Sequence, residues 1–216
     1  MKAAVWKGIE QLDIDDLPIP TPRDPFEVQV KVVACGVCGT DVHILEGKFQ
    51  IFSPPRVIGH EYVGTVVAVG SAVTKVKVGD RVAVEQGLPC DRCYFCRDGR
   101  EHQCNHRYAH PGGFAEYTCV LERMCHKLPE GLPWEVGALA EPVACGLRVL
   151  DMAKIRSGDI ALVEGGGTIG CIMTQLLLHS GICKVIVSEP VEHRRKIVEA
   201  VGVSRWIPRA RTSPLC

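Results

Sequence analysis

The first part of the chain carries a period-two pattern of apolar and polar residues. Val28, Val30 and Val32 alternate with polar neighbours, and a second alternating run extends from Val63 to Val69. Alternation puts the apolar side chains of a strand on one face, and the Gly and Pro residues between these runs are typical of turns. The pattern therefore predicts a β-rich N-terminal domain built from half-buried strands.

A different pattern begins at Gly158, where strand-like and helix-like segments alternate. In order they read DIALVEG, GGTIG, CIMTQLLLHSG, KVIVSE and VEHRRKIVEAVG. Such a βαβα order predicts a parallel sheet. Two helices are expected before it, because proline at Pro133 and Pro142 favours a helix start. The predicted fold class is α/β, with domains at 1–153 and 154–216.

Composition narrows the class of partner. The 216 residues are 46% hydrophobic, and 25 basic residues balance 25 acidic ones. A protein without net charge has no field that attracts nucleic acid or an anionic membrane. The N-terminal residues do not resemble a signal peptide, and no apolar run is long enough to cross a bilayer. We therefore expect a cytoplasmic protein with a small-molecule substrate, and neither nucleic acid nor membrane as partner.

Residues 88–106 form a segment with too little aliphatic content to build a core of its own. Its cysteines follow the spacing Cys-x2-Cys-x2-Cys-x7-Cys, and they are Cys90, Cys93, Cys96 and Cys104. Four thiolates at this spacing can converge on one tetrahedral ion, and a closed four-thiolate shell is typical of structural zinc. An iron–sulfur cluster is the chemical alternative, although the bacterial ferredoxin run has a shorter final spacing followed by Pro.

A second set of metal-ligand types lies outside this lobe. The stretch ACGVCGTDVH supplies Cys38, and His60 and Glu61 follow immediately before the second alternating run. Farther along, Glu141 and Cys145 lie at i and i+4 of a predicted helix, so both side chains point the same way. Either of these two can complete a three-ligand site with an open fourth position, which is the arrangement that zinc catalysis requires.

A glycine-rich turn follows the first strand of the βαβα region. In GGGTIG, Gly165, Gly167 and Gly170 match Gly-x-Gly-x-x-Gly, and Ile169 lies within the motif. The first glycine permits a tight turn, the second lets the backbone approach a pyrophosphate, and the third allows helix and strand to pack closely. The helix that begins there presents free N–H groups to phosphates. These residues are the predicted dinucleotide-binding turn.

The end of the next strand predicts which dinucleotide binds. Glu189 lies where an acidic residue accepts hydrogen bonds from the adenosine ribose, and its charge repels a 2′-phosphate. Arg194 follows closely and is the second cofactor-binding candidate, although a guanidinium also attracts a phosphate. Because Glu189 occupies the position expected for ribose binding, we give it more weight than Arg194 and predict NAD rather than NADP.

In this order, the motifs CGVCGTDVH, GHE, the four-cysteine lobe, AEP and GGGTIG resemble the zinc-dependent medium-chain alcohol dehydrogenases, most closely their polyol and threonine dehydrogenase branch. The resemblance implies a GroES-like catalytic domain that carries the lobe, followed by a Rossmann domain. It implies an enzyme that transfers hydride between a secondary alcohol, polyol or amino alcohol and NAD. It also implies one catalytic and one structural zinc, and a homo-oligomer where the full fold is present.

The resemblance further implies roles for individual metal ligands. Cys38 and His60 match the catalytic zinc ligands of the family, with Glu61 a ligand or an exchanging neighbour. Glu141 matches the glutamate that lies at the zinc in the polyol-like branch, whereas Cys145 matches the cysteine that does so in other alcohol dehydrogenases. We favour Glu141.

Three further residues are assigned by the same resemblance. Thr40 and His43 match the proton relay that carries the alcohol proton to solvent, and they are the predicted catalytic residues. Asp41 matches the carboxylate that orients the histidine ligand.

The last residues, WIPRARTSPLC, lack the periodicity that a complete Rossmann domain requires. The expectation is a partial, C-terminally truncated second domain with about three parallel strands, an exposed sheet edge and poor solubility or pairing with another chain. The alternative hypothesis is therefore a catalytically impaired fragment that binds zinc and associates with other subunits.

Overall fold

The computed structural model of the protein describes residues 1–49, 52–109, 111–203 and 206–207. The chain divides into two compact units, residues 1–141 and residues 142–216. Among the described helices, none combines the length and apolar character needed to span a bilayer.

The first unit is built mainly from strands. Its described strands are β1 (Lys2–Gly8), β2 (Gln11–Asp16), β3 (Glu27–Gly36), β4 (Arg56–Val57), β5 (Glu61–Val69), β6 (Arg81–Val84), β7 (Gly87–Leu88), β8 (Tyr108–Ala109), β9 (Tyr117–Leu121) and β10 (Cys125–Lys127). Its described helices are α1 (Gly39–Leu45), α2 (Tyr94–Arg97) and α3 (Trp134–Ala138). A five-stranded antiparallel sheet has the order β10-β6-β5-β3-β9, beside a β2-β1-β4 sheet and a β7-β8 ribbon. The predicted β-rich character of this region is confirmed.

The five-stranded sheet carries the main apolar core. Its fully buried valines are Val28, Val30, Val63, Val66, Val82 and Val120. The strands are as predicted, but their strict alternation is not: Val66 is fully buried, whereas Val69 is 38% exposed. The register between β3 and β5 shifts twice, and one shift falls at Val67, which has no counterpart on β3, so the period of two is interrupted there.

The second unit has the βαβα order that the sequence predicts. Its strands are β11 (Ile160–Glu164), β12 (Lys184–Ser188) and β13 (Trp206–Ile207), and its helices are α5 (Thr168–Leu178) and α6 (Glu192–Ala200). The strands pair in parallel in the order β11-β12-β13. Helix α4 (Ala140–Ala153) begins before Pro142, the predicted start. Proline is tolerated in this first turn because its missing N–H would have no partner within the helix.

Strand β11 forms an exposed edge of the described sheet. Within the described residues it pairs only with β12, and Ile160 and Leu162 are 64% and 60% exposed. The edge borders an apolar groove of about 430 Å³ that Val149 and Met173 also line. The predicted exposed edge is thus confirmed, whereas the predicted irregular ending lies, beyond β13, outside the described residues.

Candidate metal centres and the glycine-rich turn

The four predicted lobe cysteines converge. The sulfur atoms of Cys90, Cys93, Cys96 and Cys104 all lie within 4.8 Å of one another. The Sγ–Sγ distance is 3.4 Å between Cys93 and Cys96, and 3.9 Å between Cys90 and Cys96. Sulfurs in a tetrahedral zinc shell with bonds of about 2.3 Å lie about 3.8 Å apart. The cluster therefore has the size of a four-thiolate zinc site.

Backbone amides prepare these sulfurs for metal binding. The N–H groups of Cys90 and His106 donate to Cys104 Sγ at 3.3 and 3.4 Å, and that of Cys93 donates to Cys90 Sγ at 3.4 Å. A hydrogen bond from the Arg92 amide holds the pKa of the Cys90 thiol well below its ordinary value, and the Cys96 amide does the same for Cys93. Because thiolates are the zinc ligands, the lowered pKa values of Cys90 and Cys93 favour binding at neutral pH, whereas burial raises the pKa of Cys96 to about 12, so this thiol must lose its proton when a metal binds.

A second ligand group forms at the end of strand β3. Cys38 caps the N-terminus of helix α1, while His60 and Glu61 lie at the start of the adjacent strand β5. Ligand atoms of these three residues all lie within 4.8 Å of one another. A thiolate, an imidazole and a carboxylate are together a donor set that suits zinc and leaves a fourth tetrahedral position open. This mixed set of three donors differs from the closed set of four thiols in the lobe.

The Asp41 carboxylate contacts the residues that carry this group. Its carboxylate is 4% exposed, and it accepts the Cys38 N–H at Oδ2 (2.9 Å) and the Gly59 N–H at Oδ1 (3.2 Å). His60 Nδ1 lies 3.5 Å from Asp41 Oδ1. One carboxylate thus fixes both backbone segments that carry ligands, and it orients the imidazole so that Nε2 is left for a metal. The contact agrees with the role predicted for Asp41.

The same carboxylate sets the protonation of the imidazole. The hydrogen bond to Asp41 raises the pKa of His60 to about 9, against the opposing effect of burial. In the metal-free protein His60 is therefore cationic at neutral pH, and a metal that binds there must displace a proton.

Glu61 reaches the ligand group because its neighbour across the sheet has no side chain. Gly36 pairs with Glu61 in the β3–β5 register. A Cβ atom at position 36 would lie 2.2 Å from Glu61 Oε2. Glycine is thus required for the close approach of the carboxylate, although the sequence reasoning did not single out Gly36.

Glu141 and Cys145 are the two alternative third ligands that the sequence predicts. Glu141 Oε1 accepts a hydrogen bond of 3.0 Å from Gln86 Nε2. Among the residues that the structure describes, the group within mutual 4.8 Å of Cys38 includes Glu61 but not Glu141. Cys145 belongs to the second unit. The assignment of Glu141 as a zinc ligand therefore stays a prediction.

The predicted relay residues are both on helix α1. The Cys38 thiol lies 3.6 Å from Thr40 Oγ1, so this hydroxyl is next to the ligand group. The His43 side chain is 59% exposed, and its Nδ1 lies 3.5 Å from Glu46 Oε2. The helix thus carries one polar group beside the ligands and another that faces water.

The glycine-rich turn has the geometry that the sequence predicts. Gly165 has φ +98°, in the left-handed region that favours glycine, and Gly167 caps helix α5. A Cβ at Gly170 would lie 1.9 Å from the Gly165 carbonyl oxygen, so no side chain fits there. Ile169, within the same first turn, is 50% exposed.

Glu189 lies directly beneath this turn. It is 2% exposed, and its two oxygens accept the Gly166 N–H and the Val191 N–H, each at 2.7 Å. Hydrogen bonds from the Val191 and Gly166 amides, with smaller contributions from Arg194 and Arg195, lower the pKa of Glu189. The carboxylate is therefore ionised at neutral pH and also holds the turn, a contact with Gly166 that sequence reasoning missed.

Comparison with known proteins identifies the fold. Residues 24–130 match the alcohol dehydrogenase GroES-like domain. D-xylulose reductase A of Aspergillus niger is 39% identical, and the match covers 98% of this chain. A zinc-binding dehydrogenase from Sinorhizobium meliloti 1021 with bound NADP is 36% identical over 96% of this chain, with a TM-score of 0.92. An alcohol dehydrogenase from Escherichia coli CFT073 with bound NADH is 34% identical over 98% of this chain, with a TM-score of 0.90.

The chain spans about three fifths of these proteins: 61% of the reductase and of the Sinorhizobium protein, and 63% of the Escherichia coli protein. Within that span the domain match, the ordered motifs and the similar structures agree. A GroES-like domain followed by parallel strands of a Rossmann domain is the predicted fold class, which is confirmed. The chain belongs to the zinc-dependent medium-chain alcohol dehydrogenase family.

Proposed function

We propose that this chain carries the catalytic zinc domain and the first part of the cofactor domain of an NAD-linked dehydrogenase that acts on secondary alcohols or polyols. The observation that carries the proposal is the convergence of Cys38, His60 and Glu61 within 4.8 Å over the buried Asp41 carboxylate. The similarity to D-xylulose reductase A favours a polyol among the small-molecule alcohols.

In this proposal Cys38, His60 and a carboxylate hold the catalytic zinc, and the lobe cysteines hold a structural one. A zinc ion in the open site supplies Lewis acidity, which makes an alcohol hydroxyl easier to deprotonate. The residues of the chain do the positioning, because Asp41 holds the Cys38 and Gly59 amides and the His60 ring in one arrangement. The ligands are therefore in place before substrate arrives.

Thr40 and His43 move the released proton. The Thr40 hydroxyl lies next to the Cys38 thiol, and it can both accept and donate a hydrogen bond. It therefore takes up one proton as it releases another, and its own protonation state is the same afterwards. The His43 side chain is 59% exposed, so its imidazole reaches the solvent that receives the proton. The route begins inside the site and ends at the surface of helix α1.

The turn made by Gly165, Gly167 and Gly170 receives the pyrophosphate, with Ile169 beside it. We infer NAD rather than NADP, because the ionised Glu189 under the turn opposes a 2′-phosphate. Arg194 is exposed near the same strand end, where it would contact the adenosine side of a bound cofactor.

The experiment measures zinc content, NAD affinity and NADH formation with a panel of polyols and secondary alcohols. We expect two zinc equivalents, tighter binding of NAD than of NADP, and loss of NADH formation in Cys38→Ala. Activity that survives Cys38→Ala contradicts the zinc mechanism. Zinc retention without measurable NAD binding instead supports the alternative, a zinc-binding fragment that lacks turnover.

A further inference from the structure

Three pairs of cysteines share the spacing Cys-x2-Cys, but the structure does not treat their sulfur atoms alike. The pairs are Cys35 with Cys38, Cys90 with Cys93, and Cys93 with Cys96. Among the described residues, the ligand group around Cys38 does not include Cys35. The Sγ atoms of Cys93 and Cys96, in contrast, lie 3.4 Å apart. Spacing therefore does not single out a pair of thiols that can react with each other, whereas the geometry does.

Within the lobe, the close sulfur–sulfur contacts differ in length and in access to solvent. The Sγ–Sγ distance is 3.9 Å from Cys90 to Cys96 and from Cys93 to Cys104, longer than the 3.4 Å between Cys93 and Cys96. A disulfide bond is about 2.05 Å long, so the Cys93–Cys96 pair has the least distance to close. Both of these cysteines are half-buried, whereas Cys104 is only 8% exposed. A small oxidant from solvent therefore reaches the close pair more easily than it reaches Cys104.

We propose that Cys93 and Cys96 are an oxidation site, at which a hydroperoxide converts the two thiols into a disulfide and thereby prevents the lobe from holding a metal. The inference goes beyond the proposed dehydrogenase function. It rests on the positions of the lobe sulfurs and not on hydride transfer.

The reaction is balanced with hydrogen peroxide as the oxidant. One of the two thiols, as its thiolate, attacks a peroxide oxygen, and the O–O bond breaks to leave a sulfenic acid and one water. The second sulfur then attacks the sulfenic sulfur, so that the S–S bond forms, the S–O bond breaks and a second water leaves with the remaining thiol proton. The two sulfurs together lose two electrons, which reduce the peroxide. The close second thiol traps the sulfenic acid before further oxidation.

Oxidation and metal binding exclude each other at this site. A closed zinc shell needs four thiolates, and the disulfide removes two of them. With free zinc at about ten times its dissociation constant, only about a tenth of the lobes are metal-free, so we expect oxidation to be about tenfold slower. A dithiol reductant opens the disulfide by thiol–disulfide exchange and restores the ligand set.

The test maps disulfides in the metal-free full chain after treatment with hydrogen peroxide. Free thiols are blocked with an alkylating reagent, and the chain is cleaved with trypsin and measured by mass spectrometry. A Cys93–Cys96 disulfide lies within one peptide, which stays unblocked and weighs two hydrogen masses less than the dithiol. Any other pairing of the lobe cysteines joins two peptides, because the arginines of the lobe divide it into 82–92 with Cys90, 93–97 with Cys93 and Cys96, and 101–107 with Cys104.

The chain contains its own matched control. The tryptic peptide 32–48 carries Cys35 and Cys38 at the same spacing, without the close sulfur contact described for the lobe pair. We expect peptide 93–97 to be oxidised in most molecules while peptide 32–48 remains blocked at both thiols. Zinc release is counted in Cys38→Ala, which lacks the proposed second site. There we expect one zinc per disulfide, slower oxidation in excess zinc, and recovery of zinc binding after dithiothreitol.

Two kinds of result overturn the inference. If joined peptides are the main products, if the lobe thiols gain oxygen without forming a disulfide, or if peptide 32–48 is oxidised to the same extent as 93–97, the assignment of the pair is wrong. If zinc leaves without a disulfide, or if the disulfide forms equally fast in excess zinc, the link to the metal is wrong. None of these measurements involves NAD or an alcohol, so a chain that forms no NADH would contradict the proposed function and leave this inference standing.

Discussion

The two metal-binding groups of the first unit differ in what holds their ligands. The lobe cysteines lie in loops or in the short helix α2, and their close partners are one another and backbone amides. Cys38, His60 and Glu61 instead lie where β3, α1 and β5 meet, over a buried carboxylate that accepts two backbone hydrogen bonds. The open group is therefore ordered by the fold, whereas the lobe depends on its own ligands.

This difference separates two uses of a metal. Residues 88–106 contribute little to the apolar core, so we expect a bound ion to supply the order that hydrophobic burial does not. The open group instead lies at the end of a sheet that carries the fully buried Val28, Val30, Val63 and Val66, so we expect the sheet to hold its geometry. Four predictions test this contrast, from the largest expected effect to the smallest.

Cys93→Ser should disorder the lobe. Loss of one of four thiolates opens the shell, and we expect one zinc equivalent to be lost and the free energy of unfolding to fall by at least about 3 kcal/mol. Zinc analysis, limited proteolysis within residues 88–106 and denaturant unfolding measure the effect. Cys183→Ser, at an exposed cysteine, is the control. An ordered lobe in Cys93→Ser would contradict the view that the lobe, unlike the Cys38 group, depends on its metal ligands for order.

Asp41→Asn should damage the open group. Both Asp41 oxygens accept backbone N–H groups, but an asparagine offers one acceptor oxygen and turns an NH₂ group toward the other amide. We expect unfolding free energy to fall by about 1–3 kcal/mol, and affinity for the second zinc to fall by roughly 10–100-fold. Asp151→Asn, on the exposed surface of α4, is the control. Unchanged zinc affinity in Asp41→Asn would show that the Asp41 carboxylate is not needed to hold the ligands.

Cys38→Ala should remove the second zinc and leave the fold intact. The thiol is a ligand but not a core residue, so we expect the melting temperature to change by less than about 4 °C, the shift that corresponds to about 1 kcal/mol. Zinc stoichiometry and thermal unfolding are the measurements. A collapse comparable to that of Cys93→Ser would mean that both groups depend on metal for their order.

The smallest effect concerns pH and the metal-free protein. Because the folded pKa of His60 is raised from 6.5 to about 9, its contribution to stability is complete below pH 6.5 and is lost as pH rises through 9. Unfolding of metal-free protein from pH 6 to pH 10 should therefore show falling stability, with the His60 titration followed by NMR. In Asp41→Asn the titration should move back toward pH 6.5. An ordinary His60 pKa would show that Asp41 does not hold the ring.

Local spacing made the lobe and the glycine turn predictable from sequence. Four cysteines within one segment must meet if they bind one ion, and the φ of Gly165 follows from a tight turn. The contact between Gln86 and Glu141 was not predictable, because no period or motif links the segment between β6 and β7 to helix α4. The face reversal along β5 was also missed, since bulges depend on pairing rather than on composition.

Glu189 shows why a correct position does not give a complete role. The sequence places an acidic residue at the end of β12, as expected for ribose binding. The structure adds that both oxygens accept amides of the adjoining loops, which is a property of backbone geometry. A short polar side chain near a turn competes for backbone N–H groups in a way that a motif does not reveal.

The buried carboxylate of Asp41 also constrains how this protein can evolve. One side chain sets the basicity of His60 and closes the N-terminus of α1, so selection cannot adjust the first without altering the second. Variation in metal preference must therefore arise at positions whose side chains do not hold the backbone through hydrogen bonds. Of the three candidate ligands, Glu61 is the one whose side chain occupies the space left by Gly36, so a change at position 36 would alter this ligand without touching Asp41.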